Sequence, residues 1–265
     1  NGLQVFGTVT KNPVASGADL VAYSGFSQSG GAYSSNVNYL HYPKTVALGT
    51  SDFHFALWLK FSTDGGQQTI LSSMEADGQY AGPYLSTFTS GTVYMGMYLA
   101  NQANAIQTPY QIADGAQNIA DDKWHQVIFT KSGTNAKVYI DGEFTVESNS
   151  FYSTTATFDK MDIGSNYRAF NGSLALLRLS ATVPSPEQIK KIYNDEKHLF
   201  QENAKATLYG SSDAVTALAY DDDTELLHVG TSAGRSVFQG LRRIDNTTDA
   251  VGAAISAVNG MVVEE

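Results

Sequence analysis

Residues 123–142 restrict the fold of this chain more than any other segment. Apolar and polar side chains alternate there in two short runs, so that Val127 and Phe129 would share one face of a first strand. The dipeptide Asp141-Gly142 closes the second run, and an Asp-Gly pair supplies the positive φ angles of a two-residue hairpin turn. The segment therefore predicts part of a twisted antiparallel sheet.

Composition narrows the class of protein. The chain has 265 residues, enough for one large β-domain with a small appendage. Its net charge is −10 with only 16 basic residues, which argues against nucleic acid and against insertion at an anionic membrane surface. No cysteine is present, which excludes disulfides and thiolate metal sites, and no apolar run is long enough to span a membrane. Because the chain starts at Asn1 without a Met or a signal sequence, we expect a fragment or a processed product.

Further alternating segments predict an all-β fold. Phe53–Phe61 places an apolar side chain at every second position, and Ala56 and Trp58 on the opposite face, as is typical of a strand buried on both sides. Shorter strands are predicted at residues 38–43, 69–73, 84–88, 93–99, 161–164 and 174–179. Residues 100–122 follow no period and predict a long loop.

One helix is predicted after these strands. Ser185 is a good N-cap, Pro186 suits the first helical position, and Gln188 completes a capping box. Apolar residues then recur at helical spacing. The pattern predicts a helix over residues 186–198.

Residues 205–265 read as a separate unit. Val215–Tyr220 and Leu226–Gly230 flank three consecutive aspartates and predict a hairpin. Two more strands are predicted, at residues 235–238 and 241–244. The stretch 249–260 consists largely of small and apolar residues.

Several motifs resemble the laminin-G-like and pentraxin-like domains of the concanavalin A-like lectin/glucanase superfamily. In order along the chain they are Asn-Tyr-Leu-His-Tyr-Pro at 38–43, Asp-Phe-His-Phe-Ala-Leu-Trp at 52–58, Trp-His at 124–125, Tyr-Ile-Asp-Gly at 139–142, Phe-Asn-Gly-Ser-Leu at 170–174 and Ser-Pro-Glu-Gln-Ile at 185–189. The resemblance implies an antiparallel jelly-roll sandwich over residues 18–200. Residues 1–17 would be a linker or a segment leading into it, and 205–265 a small β appendage. Function stays open, because this fold serves sugar binding, protein binding, hydrolysis and structure.

The appendage carries a resemblance of its own. Residues 217–238 resemble a single propeller-type blade of the kind we associate with phage tail and virion proteins. One blade leaves its own faces unburied. We therefore expect residues 205–265 to pack on the jelly roll or to act as an oligomerisation segment in a homo-oligomer, with a trimer as the expected state.

The jelly-roll resemblance implies how a sugar would be bound. Aromatic rings would contact its C–H patches, and amides and carboxylates would bond its hydroxyls. The candidate carbohydrate-binding residues, which fall in or near predicted loops, are Tyr80, Tyr84, Tyr110, Asn166, Tyr167, Arg168, Phe170 and Asn171. The alternative for each is ordinary loop and edge packing.

Calcium is the cofactor that the resemblance implies. Laminin-G-like domains place an Asp after an early hairpin and further ligands in a nearby loop, and Ca²⁺ prefers oxygen ligands of this kind. The candidate metal ligands are Asp77, Asn101, Asn104 and Asp114. The alternative is that these are solvated turn residues.

Neither catalytic motif suggested by the sequence is complete. Residues 230–234 match Gly-x-Ser-x-Gly, but all five histidines precede Ser232, whereas that motif requires a later His. The paired Glu-x-Asp-x-Glu carboxylates of related glycoside hydrolases are absent, although scattered carboxylates leave a hydrolase open. We therefore expect a chain that is not an enzyme.

The leading prediction is a non-catalytic carbohydrate-binding module of a phage tail fibre or virion surface protein. It would lie on the virion or outside the cell and contact a host-surface polysaccharide. One alternative is a structural virion protein that serves in capsid or tail decoration or assembly and binds only other virion proteins, as the apolar stretch 249–260 favours. A second alternative is a glycan-cleaving enzyme.

Overall fold

The computed structural model of the chain describes residues 2–29, 36–43, 51–62, 66–73, 82–87, 91–98, 117–149, 161–164, 168–201, 208, 214–240, 242–252 and 254–264. The chain divides into two compact units, Asn1–Lys197 and His198–Glu265. Among the described residues, no helix combines the length and the apolar character needed to cross a membrane.

The described part of the first unit contains fourteen strands. In chain order they are β1 (Gln4–Phe6), β2 (Thr10–Pro13), β3 (Val21–Ser24), β4 (Ser27–Gln28), β5 (Asn36–Tyr42), β6 (Phe53–Phe61), β7 (Gln68–Ser72), β8 (Gly82–Thr87), β9 (Val93–Tyr98), β10 (His125–Ser132), β11 (Asn135–Ile140), β12 (Glu143–Ser148), β13 (Met161–Ile163) and β14 (Gly172–Ser180). The strands predicted from alternation all occur, with ends that coincide with the predicted ones or differ from them by one or two residues.

These strands form two antiparallel sheets. Sheet A has the order β1-β5-β13-β7-β8-β9, and β4 also pairs with β5. Sheet B has the order β12-β11-β10-β6-β14-β3-β2. Neighbours within each sheet are often distant in sequence, so the chain crosses repeatedly between the sheets. This is the antiparallel jelly-roll sandwich that the sequence predicts.

The core lies between the two sheets. Sheet B contributes Phe55, Leu57 and Leu59 from β6, and sheet A contributes Leu71 and Leu85. All five side chains are fully buried. Burial of so many large apolar side chains, each worth about 1.5–3 kcal/mol, is the main stabilising contribution to this unit.

The hairpin at residues 123–142 forms as predicted. Val127 lies opposite Ile140, and Phe129 lies opposite Val138. Asp141 and Gly142 have φ angles of 53° and 79°, so both central residues of the turn take the positive φ that an Asp-Gly pair tolerates.

The helix α1 (Pro186–Glu196) packs on the outer face of sheet B. Its capping box is present: the Ser185 hydroxyl accepts from the Gln188 N–H at 3.3 Å, and the Gln188 side chain accepts from the Ser185 N–H at 2.8 Å. Ile189 packs on Ala56 and Ile128. The predicted helix extends to residue 198, but the α-helix ends at Glu196 because residues 197–200 tighten into a 3₁₀ turn.

One carboxylate fixes the C-terminal end of α1 to sheet B. Glu196 Oε2 accepts hydrogen bonds from Trp58 Nε1 at 2.8 Å, Gln126 Nε2 at 3.1 Å and Arg178 Nη2 at 3.0 Å. Arg178 Nη1 donates to the other oxygen, so that pair is bidentate. The ring of Trp58 also stacks on Tyr193, with centroids 5.9 Å apart.

Residues 1–17, expected to link or lead into the domain, contribute a strand to each sheet. β1 is an edge of sheet A and β2 is an edge of sheet B. Every residue in both strands is exposed. Strands of this kind have no alternating apolar pattern, which is the reason the sequence does not predict them.

The second unit contains six strands among its described residues. They are β15 (Val215–Asp221), β16 (Leu226–Thr231), β17 (Gly234–Gln239), β18 (Arg242–Thr247), β19 (Ile255–Val258) and β20 (Met261–Glu264). The first four form an antiparallel meander in chain order, and the last two form a separate hairpin. Val251 and Ile255 pack on Ala217 of β15, and in this way they cover part of one face of the meander. The Asp221 carboxylate joins the two parts, because its Oδ2 accepts from the Gly260 N–H at 2.6 Å.

Candidate functional site

Two neighbouring strands of sheet A carry aromatic rings on the outer face of the sandwich. In β5, Leu40 belongs to the core, so Tyr39 and His41 on either side of it point outward. Phe6 in β1 lies opposite Tyr39. The rings of Phe6 and Tyr39 stack with centroids 4.9 Å apart, and the ring of His41 meets Phe6 edge-on at 5.7 Å. Phe6 is 41% exposed, so a ligand can reach this stack.

A carboxylate lies beside the rings. Asp162 in β13 is paired with His41 in β5, and its Oδ1 is 2.7 Å from His41 Nδ1. Its Oδ2 accepts a hydrogen bond of 3.3 Å from the Asn36 side-chain amide. Asp162 is only 5% exposed, and a buried carboxylate needs partners of this kind. Phe6, Asn36, Tyr39, His41 and Asp162 are called the outer-face cluster below.

The electrostatics of the outer-face cluster keep a phenol donor available. Burial, and after it the negative charge of Asp162, raise the pKa of the Tyr39 hydroxyl. A phenol is protonated near neutral pH, and the raised pKa means that this hydroxyl also remains a hydrogen-bond donor at higher pH. Stacked rings beside a carboxylate, an amide and a phenol match the chemistry of a sugar, which has C–H patches and hydroxyls.

The rest of the outer face of sheet A is polar and aromatic but closed. Asp162 pairs with Ser72 in β7, which pairs with Tyr84 in β8. The rings of Tyr84 and Tyr94 meet edge-on at 5.7 Å, and Gln67 donates to the Tyr94 hydroxyl. Both tyrosines are almost fully buried, and burial raises the pKa of Tyr94. Among the side chains that the structure describes on this face, the accessible rings lie at the end of sheet A formed by β1 and β5.

The structure separates the predicted sugar-binding residues. Tyr84 and Phe170 are 4% and 0% exposed, and Phe170 packs against Phe61 in the core. Neither ring is accessible to a sugar, so both are left out of the candidate site. Arg168 and Asn171 are exposed beside β7, where the Arg168 carbonyl accepts from the Thr69 N–H and the Asn171 N–H donates to Gln68. The other four, Tyr80, Tyr110, Asn166 and Tyr167, lie outside the described residues.

The predicted calcium ligands, Asp77, Asn101, Asn104 and Asp114, also lie outside the described residues. Within the part of the chain that the structure describes, no three His, Asp or Glu side chains are grouped as metal ligands. The calcium site therefore stays a prediction.

Sequence reasoning missed the outer-face cluster, although the sequence carries a signal for it. Asp162 interrupts the apolar pair Met161 and Ile163 inside a predicted strand. A carboxylate in the middle of a strand is a residue that must find partners on the sheet face. Tyr39 and His41 alternate with Leu40 in the same manner, so alternation alone places them on the face opposite to the core.

A second cluster joins the start of β10 to its hairpin turn. His125 Nδ1 is 2.7 Å from Asp141 Oδ2, and His125 Nε2 is 3.1 Å from Asp121 Oδ1. Asp141 Oδ1 accepts from the Gln126 N–H at 2.9 Å. The hydrogen bond to Asp141 raises the pKa of His125 against the opposing effect of burial, and contacts with Asp121 add to the rise. Both ring nitrogens are engaged within the fold, so this cluster is structural.

Solved structures with a similar fold include binding domains of botulinum neurotoxins. One is the binding domain of botulinum neurotoxin DC in complex with rat synaptotagmin II, with a TM-score of 0.55 and 14% identity over 91% of this chain and 59% of that one. Another is the same domain in complex with SialylT, with a TM-score of 0.51 and 14% identity over 96% and 59%. A third is botulinum neurotoxin type C, which depends on interaction with two ganglioside molecules to enter cells (TM-score 0.53, 14% identity, 96% and 59%). The chain thus spans less than two thirds of the length of these domains, and identities this low show the fold alone.

Comparison of the sequence with family models identifies the superfamily of the chain. No curated protein matches it. A laminin-G family model, described as "Concanavalin A-like lectin/glucanases superfamily", matches residues 34–190. This range is more than half of the chain and contains most of both sheets together with the start of α1. The chain therefore belongs to the concanavalin A-like lectin/glucanases superfamily.

Proposed function

We propose that the chain is a non-catalytic carbohydrate-binding module. The observation that carries this proposal is the exposed stack of Phe6 and Tyr39 next to Asp162. A sugar ring would lie against the stack and its hydroxyls would bond the Tyr39 hydroxyl, while the buried Asp162 carboxylate holds His41 and Asn36 in place beside the rings. Two comparisons support a carbohydrate ligand. The superfamily is named after lectins, and botulinum neurotoxin type C, which has a similar fold, interacts with gangliosides.

The ligand is a host-surface polysaccharide, and the chain works outside the cell as part of a phage tail fibre or virion surface. The buried carboxylate of Asp162 and the net charge of −10 favour an uncharged glycan over an anionic one. Calcium bound outside the described residues would add a second contact to sugar hydroxyls.

A panel of bacterial and algal glycans tests this proposal, run with calcium and again with EDTA. We expect binding to uncharged glycans and, for Phe6→Ala, an affinity about tenfold lower, because part of the ring contact is lost. Phe144→Ala is the matched control, since Phe144 is an exposed phenylalanine on β12, an edge of sheet B. Folded protein that binds no glycan, or equal losses in the two variants, would overturn the assignment.

The second unit supports a second candidate function, a structural virion protein that assembles through protein contacts. Val258, Met261 and Val263 are each more than half exposed, and they share one face of the β19–β20 hairpin. An exposed apolar face of this kind favours a protein partner. The partner would be other virion proteins or further copies of the chain, with a trimer as the expected homo-oligomer.

Light scattering on the full chain tests this second candidate. We expect a trimer that dissociates to monomer in the double variant Met261→Asp and Val263→Asp. Leu218→Asp is the control, because Leu218 is equally exposed on β15, in the same unit. A monomeric wild-type chain would contradict the oligomer.

A further inference from the structure

The first unit contains a cavity that the outer-face cluster does not use. It is a cavity of about 690 Å³ between the two sheets. Leu40 and Ile163 line it from sheet A, and Leu174 and Tyr23 line it from sheet B. We propose that this cavity binds the aliphatic chain of a single fatty acid, a function independent of the proposed glycan site.

The chemistry of the lining selects an apolar ligand. The described lining holds no charged side chain, and its only polar side chains are Tyr23, Tyr42 and Ser180. A sugar placed there would lose most of its hydrogen bonds to water without replacement. The volume is in the range of about 300–1,000 Å³ that is usual for pockets of small-molecule ligands.

Part of the cavity lining is accessible, and a cation lies next to one lining residue. Leu3 and Val21 line the cavity and are 46% and 38% exposed, so they mark an opening. Lys11 Nζ lies 5.4 Å from the ring centroid of Tyr23, which is itself a lining residue. Among the described residues, no carboxylate forms an ion pair with Lys11. An ammonium group at the rim of an apolar cavity suits a carboxylate head on an aliphatic tail.

The wall formed by β14 departs from a regular strand at the cavity. Residues 174–177 all line it, whereas a regular strand presents only every second side chain to one face. The cause is a bulge between Ala175 and Arg178, where Leu176 has a φ of 49°. This φ is strained for a leucine, and strain of this kind is concentrated at ligand sites.

Titration calorimetry of the full chain with decanoate, dodecanoate and dodecanol tests the proposal. We expect affinity to rise about fourfold for each added methylene, because each buried CH₂ is worth about 0.8 kcal/mol. Lys11→Gln should weaken dodecanoate several-fold and leave dodecanol unchanged. Ala181→Trp should abolish binding of both, because Ala181 is an exposed residue at the cavity and a large side chain there would fill it.

Ala214→Trp is the matched control, since Ala214 is exposed in the second unit. Absence of binding by any of the three compounds, or binding that ignores chain length and Ala181→Trp, would overturn the proposal. Phosphatidylcholine vesicles present acyl chains without a free carboxylate and should not bind. Sedimentation of the protein with them would assign the cavity to a membrane lipid instead.

Discussion

The outer faces of the two sheets are built in opposite ways. On sheet B, α1 covers the surface, and Glu196 bonds Trp58, Gln126 and Arg178. On sheet A, Phe6 and Tyr39 stack at one end and stay accessible. The sandwich core is shared by both sheets, so the difference lies only in what covers each outer face. The helix closes the part of sheet B that carries Ala56, Ile128 and Tyr139, whereas sheet A keeps its stacked rings accessible to a ligand.

The largest expected effect is a loss of stability when α1 is no longer held on sheet B by Glu196. Glu196→Ala removes the acceptor of three side chains, two of which, Trp58 and Gln126, are buried. Donors left buried without an acceptor are costly, so we expect a loss of about 3 kcal/mol in the free energy of unfolding. Urea denaturation followed by tryptophan fluorescence measures it, because both tryptophans lie in the first unit.

The matched control for Glu196 is Asp195, whose ion pair with Lys191 is on the helix surface. Asp195→Ala should change the stability by less than about 0.5 kcal/mol. Equal losses in the two variants would mean that the carboxylate of Glu196 does not hold the helix on sheet B.

A smaller loss of stability is expected from a substitution in the Asp141-Gly142 turn, which touches α1. Gly142 has a φ of +79°, and a Cβ there would lie 3.0 Å from Tyr193 Cβ and 3.1 Å from Lys190 Cδ. Gly142→Ala should cost about 2 kcal/mol, from the backbone conformation and from the crowding. Gly17 has a φ of +76° with nothing within 4 Å, so Gly17→Ala isolates the backbone part. A Gly17→Ala loss as large as that of Gly142→Ala would show that the helix contact adds nothing.

A change in the outer-face cluster of sheet A should reduce the affinity for a glycan more than it reduces the stability of the fold. Asp162→Asn keeps the shape of the side chain and removes its charge. We expect about tenfold weaker glycan binding, because the charge-assisted hydrogen bond that Asp162 accepts from Asn36 becomes a neutral one and the cluster is held less firmly. Calorimetry against the best glycan of the panel measures it. Asp19→Asn, at an exposed position, is the control. A loss of stability without a loss of binding would make the outer-face cluster structural, as Glu196 is on sheet B.

The smallest effect is a pH dependence at the hairpin of sheet B. Because the pKa of His125 is raised in the folded state, its stabilising contribution is complete below the unfolded value of about 6.5 and is lost as pH rises through the folded pKa. The slope cannot exceed about 1.4 kcal/mol per pH unit for one proton. Urea midpoints from pH 5 to pH 9 should fall more steeply for wild type than for His125→Gln. Identical profiles would exclude this linkage.

Local rules predicted the parts of the fold in which one segment specifies its own structure. The helix start follows from Ser185, Pro186 and Gln188, and the hairpin turn follows from Asp141-Gly142, because capping and turn geometry depend on a few neighbouring residues. The end of α1 was less predictable, since a 3₁₀ turn continues the same apolar spacing.

The candidate site could not be predicted in the same way. Phe6, Tyr39 and Asp162 come from three strands whose pairing depends on the crossing of the chain between sheets. Sequence reasoning looked for tyrosines and asparagines in loops, and it had no means of placing β1 beside β5. Phe170 shows the converse error, because an aromatic residue next to loop residues turned out to be fully buried.

The edges of sheet B bear on how this protein behaves when concentrated. β2 ends in Pro13, which has no N–H to offer, and carries Lys11. The other edge, β12, carries Glu143 and Glu147, and the pairing next to it is irregular between Val138 and Tyr139. Proline, charge and irregular pairing all prevent an unpaired strand from templating another chain. Crowded solutions of the protein should therefore resist the strand-to-strand growth that leads to fibrils at this sheet.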